Sequence, residues 1–350
     1  MATAAFDDVK LREVRTTMEN MWGDAQMRKN FTAKADTLNA IIQKQTANGQ
    51  ALNGQRDKDV DVRVTWLTLG DETVQTFDPI ATGPAVCSID GPELQAGAQD
   101  YRLTIGTEKT FKIEETGSAW GEGLRDVDVS FQQLVAQGLL ETRKALVEDA
   151  NSRIIAKLDT FAGVNKYLGG YTAADGDTTI PAADYSARTL LPYLARVQMM
   201  NRYVDPYILD GGLLWDDMFI SAVGATGADQ VRLQSLFGQF DITEDMWGFA
   251  KAGVDDRAFL VDRNAVGFFS KNHYTRAVRE LGVNGLYNYS MPLPELGNRV
   301  EADVVYQFKC IDDKYYHVYK LILRYDLLQN PIIGDADLTG VLAFRKGAAV

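Results

Sequence analysis

The sequence predicts an α+β fold, and three stretches carry the prediction. Arg125–Phe161, RDVDVSFQQLVAQGLLETRKALVEDANSRIIAKLDTF, has no proline and a single internal glycine, Gly138. Within it Val135, Leu139, Leu146, Ala150, Ile154, Leu158 and Phe161 recur in steps of three, four and seven, the stripe of one amphipathic helix. From Val60 the period drops to two, with Val60, Val62, Val64 and Trp66 alternating against Asp61, Arg63 and Thr65. Near the end, Val304, Tyr306, Phe308 and Cys310 are answered across Asp312-Asp313-Lys314 by His317, Tyr319, Leu321, Leu323 and Tyr325, the pattern of a β-hairpin.

The long helix has its own start and stop signals. Asp126 or Asp128 can cap it and Gly163 can end it. Glu141 with Lys144 and Asp149 with Arg153 are favourable pairs on the other face. At 1.5 Å per residue it would reach roughly 50 Å, long against a usual helix of about three turns. No strict heptad persists, so a coiled-coil arm is the weaker reading and a single helix spanning a flat subunit the stronger.

Elements ahead of it read as arms. Residues 7–46 form two helical pieces, broken at Gly23 and restarted by Asp24, the second carrying Met27, Phe31, Leu38, Ile41 and Ile42. Asn48–Gly54 is a turn-rich linker. Thr73–Phe77 is expected to return the first strand. Tyr101, Leu103 and Ile105 alternate again, Gly106-Thr107-Glu108-Lys109 reads as a turn, and Phe111 and Ile113 run back. These strands have one polar face and loose loops, so residues 55–118 read as an extended β arm that needs a partner surface.

Behind the long helix lies a lobe of strands and helices. Tyr185–Tyr203 is expected to be helical, Tyr207-Ile208-Leu209 a short strand, Asp210-Gly211-Gly212 a sharp turn and Leu213–Val223 a helix. Phe237–Ile242, Ala258–Val261 and Val266–Phe269 read as strands, and Gly340–Phe344 as a last one.

Composition narrows the function classes. The chain has 350 residues, 46% hydrophobic and 24% charged, within the range of soluble globular proteins. No apolar run reaches the eighteen or so residues of a membrane span, and the N-terminus lacks the basic head and apolar core of a signal peptide. Cys87 and Cys310 are too few for a disulfide framework or a cysteine-rich metal site, which suits synthesis in a reducing cytoplasm. A net charge of −12 argues against a dedicated nucleic-acid binder but leaves room for loose contact.

A search for chemistry finds little. His273 and His317 are the only histidines; neither has a metal-type partner, and His317 belongs to a strand alternation where packing is the simpler role. Gly121-Glu122-Gly123 lacks the third glycine of a dinucleotide loop and puts an acid where pyrophosphate would sit. Asp175-Gly176-Asp177 lacks the later acid of a calcium loop. Adjacent carboxylates at Glu114-Glu115 and Asp255-Asp256 point apart on a strand or helix. No catalytic residue, cofactor or metal is expected.

The order of elements resembles the major capsid protein of tailed bacteriophages, a fold shared with encapsulins and the herpesvirus capsid floor. Tyr207-Ile208-Leu209-Asp210-Gly211-Gly212 before Leu213–Phe219 looks like that family's entry into the axial domain, and Ala258–Asp262 before Val266–Phe269 looks like a later axial strand pair. The resemblance implies an N-terminal arm at 1–54 and an extended β loop at 55–118. It implies a peripheral domain at 119–200 with spine helix 125–161, an axial domain at 201–292, peripheral strands at 293–326 and a C-terminal return at 327–350. It further implies a non-enzymatic protein that self-assembles as hexamers and pentamers into an icosahedral shell around double-stranded DNA. Its place would be the virion capsid, assembled in the host bacterial cytoplasm.

Only about 50 residues precede the first strand, where many members carry a scaffolding segment. Either a separate scaffold protein is expected, or the arm suffices. Portal and decoration proteins and non-specific contact with packaged DNA are further implied partners; a membrane is not. Phe31, Leu38, Ile41 and Ile42 are expected to dock on another subunit or on the underside of their own, and Lys109 and Lys112 to make intersubunit contacts. Two alternatives stand beside this reading. One is an encapsulin-like compartment holding cargo protein. The other is an α/β enzyme or ligand-binding protein with its site in 201–292, for which Asp210, Asp216 and His273 are the best candidates.

Overall fold

The computed structural model describes residues 8–47, 54–55, 62–69, 94–103, 105–115, 131–163, 171, 177–182, 184–185, 187–201, 203–215, 241–263, 265–272, 278–279, 287–297, 300–329 and 340–347. Three helices open the chain: α1 (Asp8–Gly23), α2 (Ala25–Phe31) and α3 (Asp36–Ala47). Gly23 and Asp24 act as the sequence predicts, since the Asp24 carboxylate accepts from the backbone N–H groups of Gln26 and Met27 and so caps α2. The expected second helix is divided, however. Thr32–Ala35 is extended, with Ala33 and Ala35 buried, and α3 starts afresh where two side chains from elsewhere in the chain receive its first N–H groups.

Strands β1 (Gly54–Gln55), β2 (Val62–Leu69) and β3 (Leu94–Tyr101) make an antiparallel three-stranded sheet that pairs only with itself among the described residues. At its root Val62 packs with Leu328, flanked by Tyr101, Leu103 and Phe269. The expected return strand at 73–77 lies outside the described residues. The turn expected at Gly106–Lys109 is absent. β4 (Ile105–Glu114) runs straight through it and pairs with the terminal hairpin from Tyr316 to Tyr325. A ten-residue partner pairs with β4 along its whole length on one side, so the glycine that reads locally as a turn stays in the ladder.

The long helix is α4 (Phe131–Phe161), 31 residues and about 46 Å. Its expected cap at Asp126 or Asp128 lies outside the described residues. Val135, Leu139, Leu146, Ala150, Ile154 and Leu158 are all buried. A second stripe, Ala136, Leu140, Arg143, Val147, Asn151 and Ile155, is buried beside it. The helix is therefore covered on two sides, by the sheet around β4 and by the N-terminal helices. Gly138 lets it approach: a Cβ there would stand 2.5 Å from the Phe111 ring, which itself stacks on Tyr319.

Further on come β5 (Asp177–Ile180), α5 (Ala187–Met200), β6 (Tyr207–Asp210), β7 (Asp241–Glu244), α6 (Met246–Ala252), β8 (Arg257–Val261) and β9 (Val266–Lys271). Then follow β10 (Val278–Arg279), β11 (Tyr287–Pro292), a 3-10 turn at Pro294–Leu296, β12 (Glu301–Ile311), β13 (Lys314–Gln329) and β14 (Val341–Lys346). The large sheet runs β10-β11-β12-β13-β4, with β9 also on β13; a five-stranded sheet runs β5-β14-β8-β6-β7.

The hairpin β12–β13 forms with the two expected alternating sets facing each other, but its turn is shorter than expected: Lys314 already pairs with Ile311, leaving Asp312 and Asp313, whose φ of 51° and 61° are those of a tight two-residue turn. The expected pairing of 258–261 with 266–269 is corrected. β8 pairs with β6 and β14, whereas β9 pairs with β13. Asp262 and Ala265 carry the chain between sheets, Asp262 donating its N–H to Gly340 and accepting that of Ala265. Residues 266–292, read with the second lobe, thus include three strands of the large sheet.

One face of the five-stranded sheet, with Leu209, Phe259, Val261, Val341 and Ala343, joins the core around α4. The other, with Ile208, Ala258, Leu260, Leu342 and Phe344, packs on α5 through Leu190, Leu191, Leu194 and Val197. Burial on both faces is why β8 reads as a continuous apolar run.

Candidate functional site

The buried polar groups show what the chain's chemistry is spent on. Asp245 caps α6, its Oδ1 accepting from the Gly248 N–H at 2.8 Å. Its Oδ2 accepts from the Asn151 side-chain amide at 2.7 Å and from the Thr37 N–H at 3.1 Å. The Asn151 carbonyl in turn accepts from the Leu38 N–H at 3.0 Å. Two side chains, one on α4 and one before α6, thereby cap α3 from outside. Gly248 is needed here, because a Cβ would lie 2.4 Å from the Asn151 amide. Burial, then the charge of Asp245, pushes the Asp36 carboxyl up.

Other acids and bases are similarly occupied. Asp210 is buried and accepts from the N–H groups of Leu214 and Trp215; burial raises its pKa and those hydrogen bonds oppose the rise. Lys157 pairs with Asp326, Arg257 with Asp159, and Arg324 with Asp303 at 2.7 Å. His317 is buried among Phe131, Tyr306 and Phe308, with Nδ1 2.9 Å from the Tyr306 hydroxyl and Nε2 2.9 Å from Glu115. No group of three or more His, Cys, Asp or Glu among the described residues could hold a metal ion. Of the enzyme candidates, Asp210 serves as a cap, and Asp216 and His273 lie outside the described residues.

The six expected contact residues separate into two groups. Leu38 and Ile41 are buried in the main core of their own chain, with Ile42 packed against it, and Phe31 is buried as well. That placement matches the second of the two destinations expected for them, the underside of their own subunit. Lys109 is half-buried beside the spine, its Nζ 3.7 Å from Asp149 on α4. Lys112 is exposed, with its ammonium 4.5 Å from the centre of the Tyr316 ring. Asn151, Asp245, Arg143 and Glu295 were not singled out by the sequence. Arg143 and Asn151 had a usable signal, since each interrupts an apolar stripe of α4.

No family model and no curated protein matches the sequence. Solved phage structures are similar in fold. A chain of Mycobacterium phage Che8 superimposes with a TM-score of 0.43 at 11% identity, over 85% of this chain and 89% of that one. A chain of the capsid of Staphylococcus phage Andhra gives 0.41 at 10% identity, over 86% and 84%. The mature capsid of bacteriophage PhiM1 gives 0.40 at 10% identity, over 82% and 83%.

Proposed function

We propose that this chain is a structural shell protein, many copies of which tile an icosahedral capsid enclosing double-stranded DNA. The observation that carries the reading is the placement of the three-stranded sheet. In chain order it lies between the N-terminal helices and the spine; it pairs with no other described strand and meets the body at its root. Its strands β2 and β3 reach about 26 Å at 3.3 Å per residue. Such an arm gains stability by lying on a neighbour, where buried apolar area contributes about 25 cal/mol per Å² before the costs of association.

The spine laid across β4 and β13 supports the same reading. Hexamers and pentamers, a separate scaffold and loose contact with packaged DNA belong to the same proposal, as does assembly in a bacterial cytoplasm. Size-exclusion chromatography with negative-stain microscopy tests it. Megadalton closed particles are expected, and enclosed DNA separates a capsid from a compartment filled with protein. A chain that stays monomeric or dimeric at every concentration and salt tried would refute the shell.

A further inference from the structure

The first helix is held differently from the third. On α1, Val14, Met18 and Trp22 share one stripe, and only Val14 of these is fully buried. Trp22 covers the guanidinium of Arg143, whose Cζ lies 4.2 Å from the ring centre. Beneath it Arg143 Nη2 stands 2.9 Å from Glu295 Oε1, with the two side chains 5% and 4% exposed. Arg143 Nε has no partner of hydrogen-bond geometry among the described residues. Burial is the first influence on both groups, pulling the guanidinium down and pushing the Glu295 carboxyl up against their mutual attraction. Dehydration of such a buried pair can exceed what its attraction returns.

The joint below α1 is short: the Asp24 carboxylate caps α2, and the Asp24 N–H donates back to the Asn20 carbonyl of α1 at 3.2 Å. By contrast α3 is anchored by the Asn151 and Asp245 bonds and by buried Leu38 and Ile41.

We propose that α1 is a detachable strap: seated, it seals the Arg143–Glu295 pair from water, and released, it returns the pair to water. Dehydration of the pair sets how firmly the strap sits. A seated and a released α1 are expected whether or not the chain builds a shell.

Hydrogen–deuterium exchange on the full, unassembled chain tests this, reading residues 12–22 against residues 135–155. In the native chain α1 should exchange at least about tenfold faster than α4, as a separately opening unit. Arg143→Met with Glu295→Leu removes two dehydrated charges at similar volume and should slow α1 exchange about tenfold. Glu295→Gln alone leaves the guanidinium unpaired and should speed it. Opening of α1 and α4 together in the native chain would overturn the proposal, as would an α1 rate left unchanged or raised by the paired substitution. Should the paired variant fail to fold, Trp22→Ala decides: faster α1 exchange with α4 unaffected supports the strap, and an unchanged α1 rate sinks it.

Discussion

Asp245→Ala is the substitution most damaging to the way the N-terminal segment is held. The carboxylate accepts three hydrogen bonds, from Gly248 N–H, Thr37 N–H and the Asn151 amide. Losing the cap on α6 costs about 1 kcal/mol. Stranding the two other buried donors costs about 1–3 kcal/mol each. The sum, about 3–7 kcal/mol, exceeds the usual 0.5–3 kcal/mol of a point substitution. Relief of Asp36, whose carboxyl Asp245 pushes up, offsets part of it. Urea unfolding of the unassembled subunit measures the total, and limited proteolysis within residues 36–47 reports whether α3 loosens first. Because Asn151 donates to the same oxygen, a cycle with Asn151→Ala should show coupling of about 0.5–3 kcal/mol. A loss below about 0.5 kcal/mol for Asp245→Ala, with α3 still resistant to protease, would refute the trans-capping account.

Ala150→Pro, at the buried middle of α4, removes a backbone hydrogen bond and clashes with the preceding turn, costing about 3 kcal/mol or more; soluble yield should collapse, and normal yield would mean the spine tolerates a break there. Deleting residues 1–23 should leave a cooperatively unfolding subunit, whereas deleting 1–46 should abolish the transition, since Leu38 and Ile41 belong to the main core; calorimetry distinguishes the two. Lys109→Glu places an acid beside Asp149 and should lower the subunit's stability by up to about 1 kcal/mol. Lys112→Glu should leave stability within about 0.5 kcal/mol, so particle counts by microscopy for that variant ask whether the exposed ammonium serves a neighbour; unchanged particle yield answers no. Burial, first among the causes, raises the carboxyls of Asp36, Asp210, Glu244, Asp262 and Glu295 above the ordinary 3.8 of Asp and 4.5 of Glu. The native state then binds protons more tightly, so their contribution is fully present below those ordinary values and lost as pH rises through the raised ones. Unfolding free energy measured stepwise upward from pH 4.5 should fall on their account, and a steady climb would contradict it.

Local pattern alone determined the α+β class, the spine stripe, the Gly23–Asp24 joint and the facing sets of the β12–β13 hairpin. Each depends on residues close in the chain: a period of 3.6 or 2, a cap next to its helix, or a short turn between matched strands. Tertiary structure decided the rest, because it depends on who pairs with whom. Gly106 reads as a turn until β13 supplies ten residues of ladder. Val266–Phe269 follows Ala258–Val261 closely in sequence yet crosses to another sheet, since β13 offers it an open edge. Leu38 and Ile41 belong to an apolar stripe that names no destination, and only the core they share with α4 shows that it is their own chain. Asn151 and Asp245 are far apart in sequence, and nothing local says that one side chain will cap a helix from the spine and the other close the same bond network. Hydrogen bonds across such distances exist only after the core has formed, because burial removes the water that would otherwise satisfy the same groups.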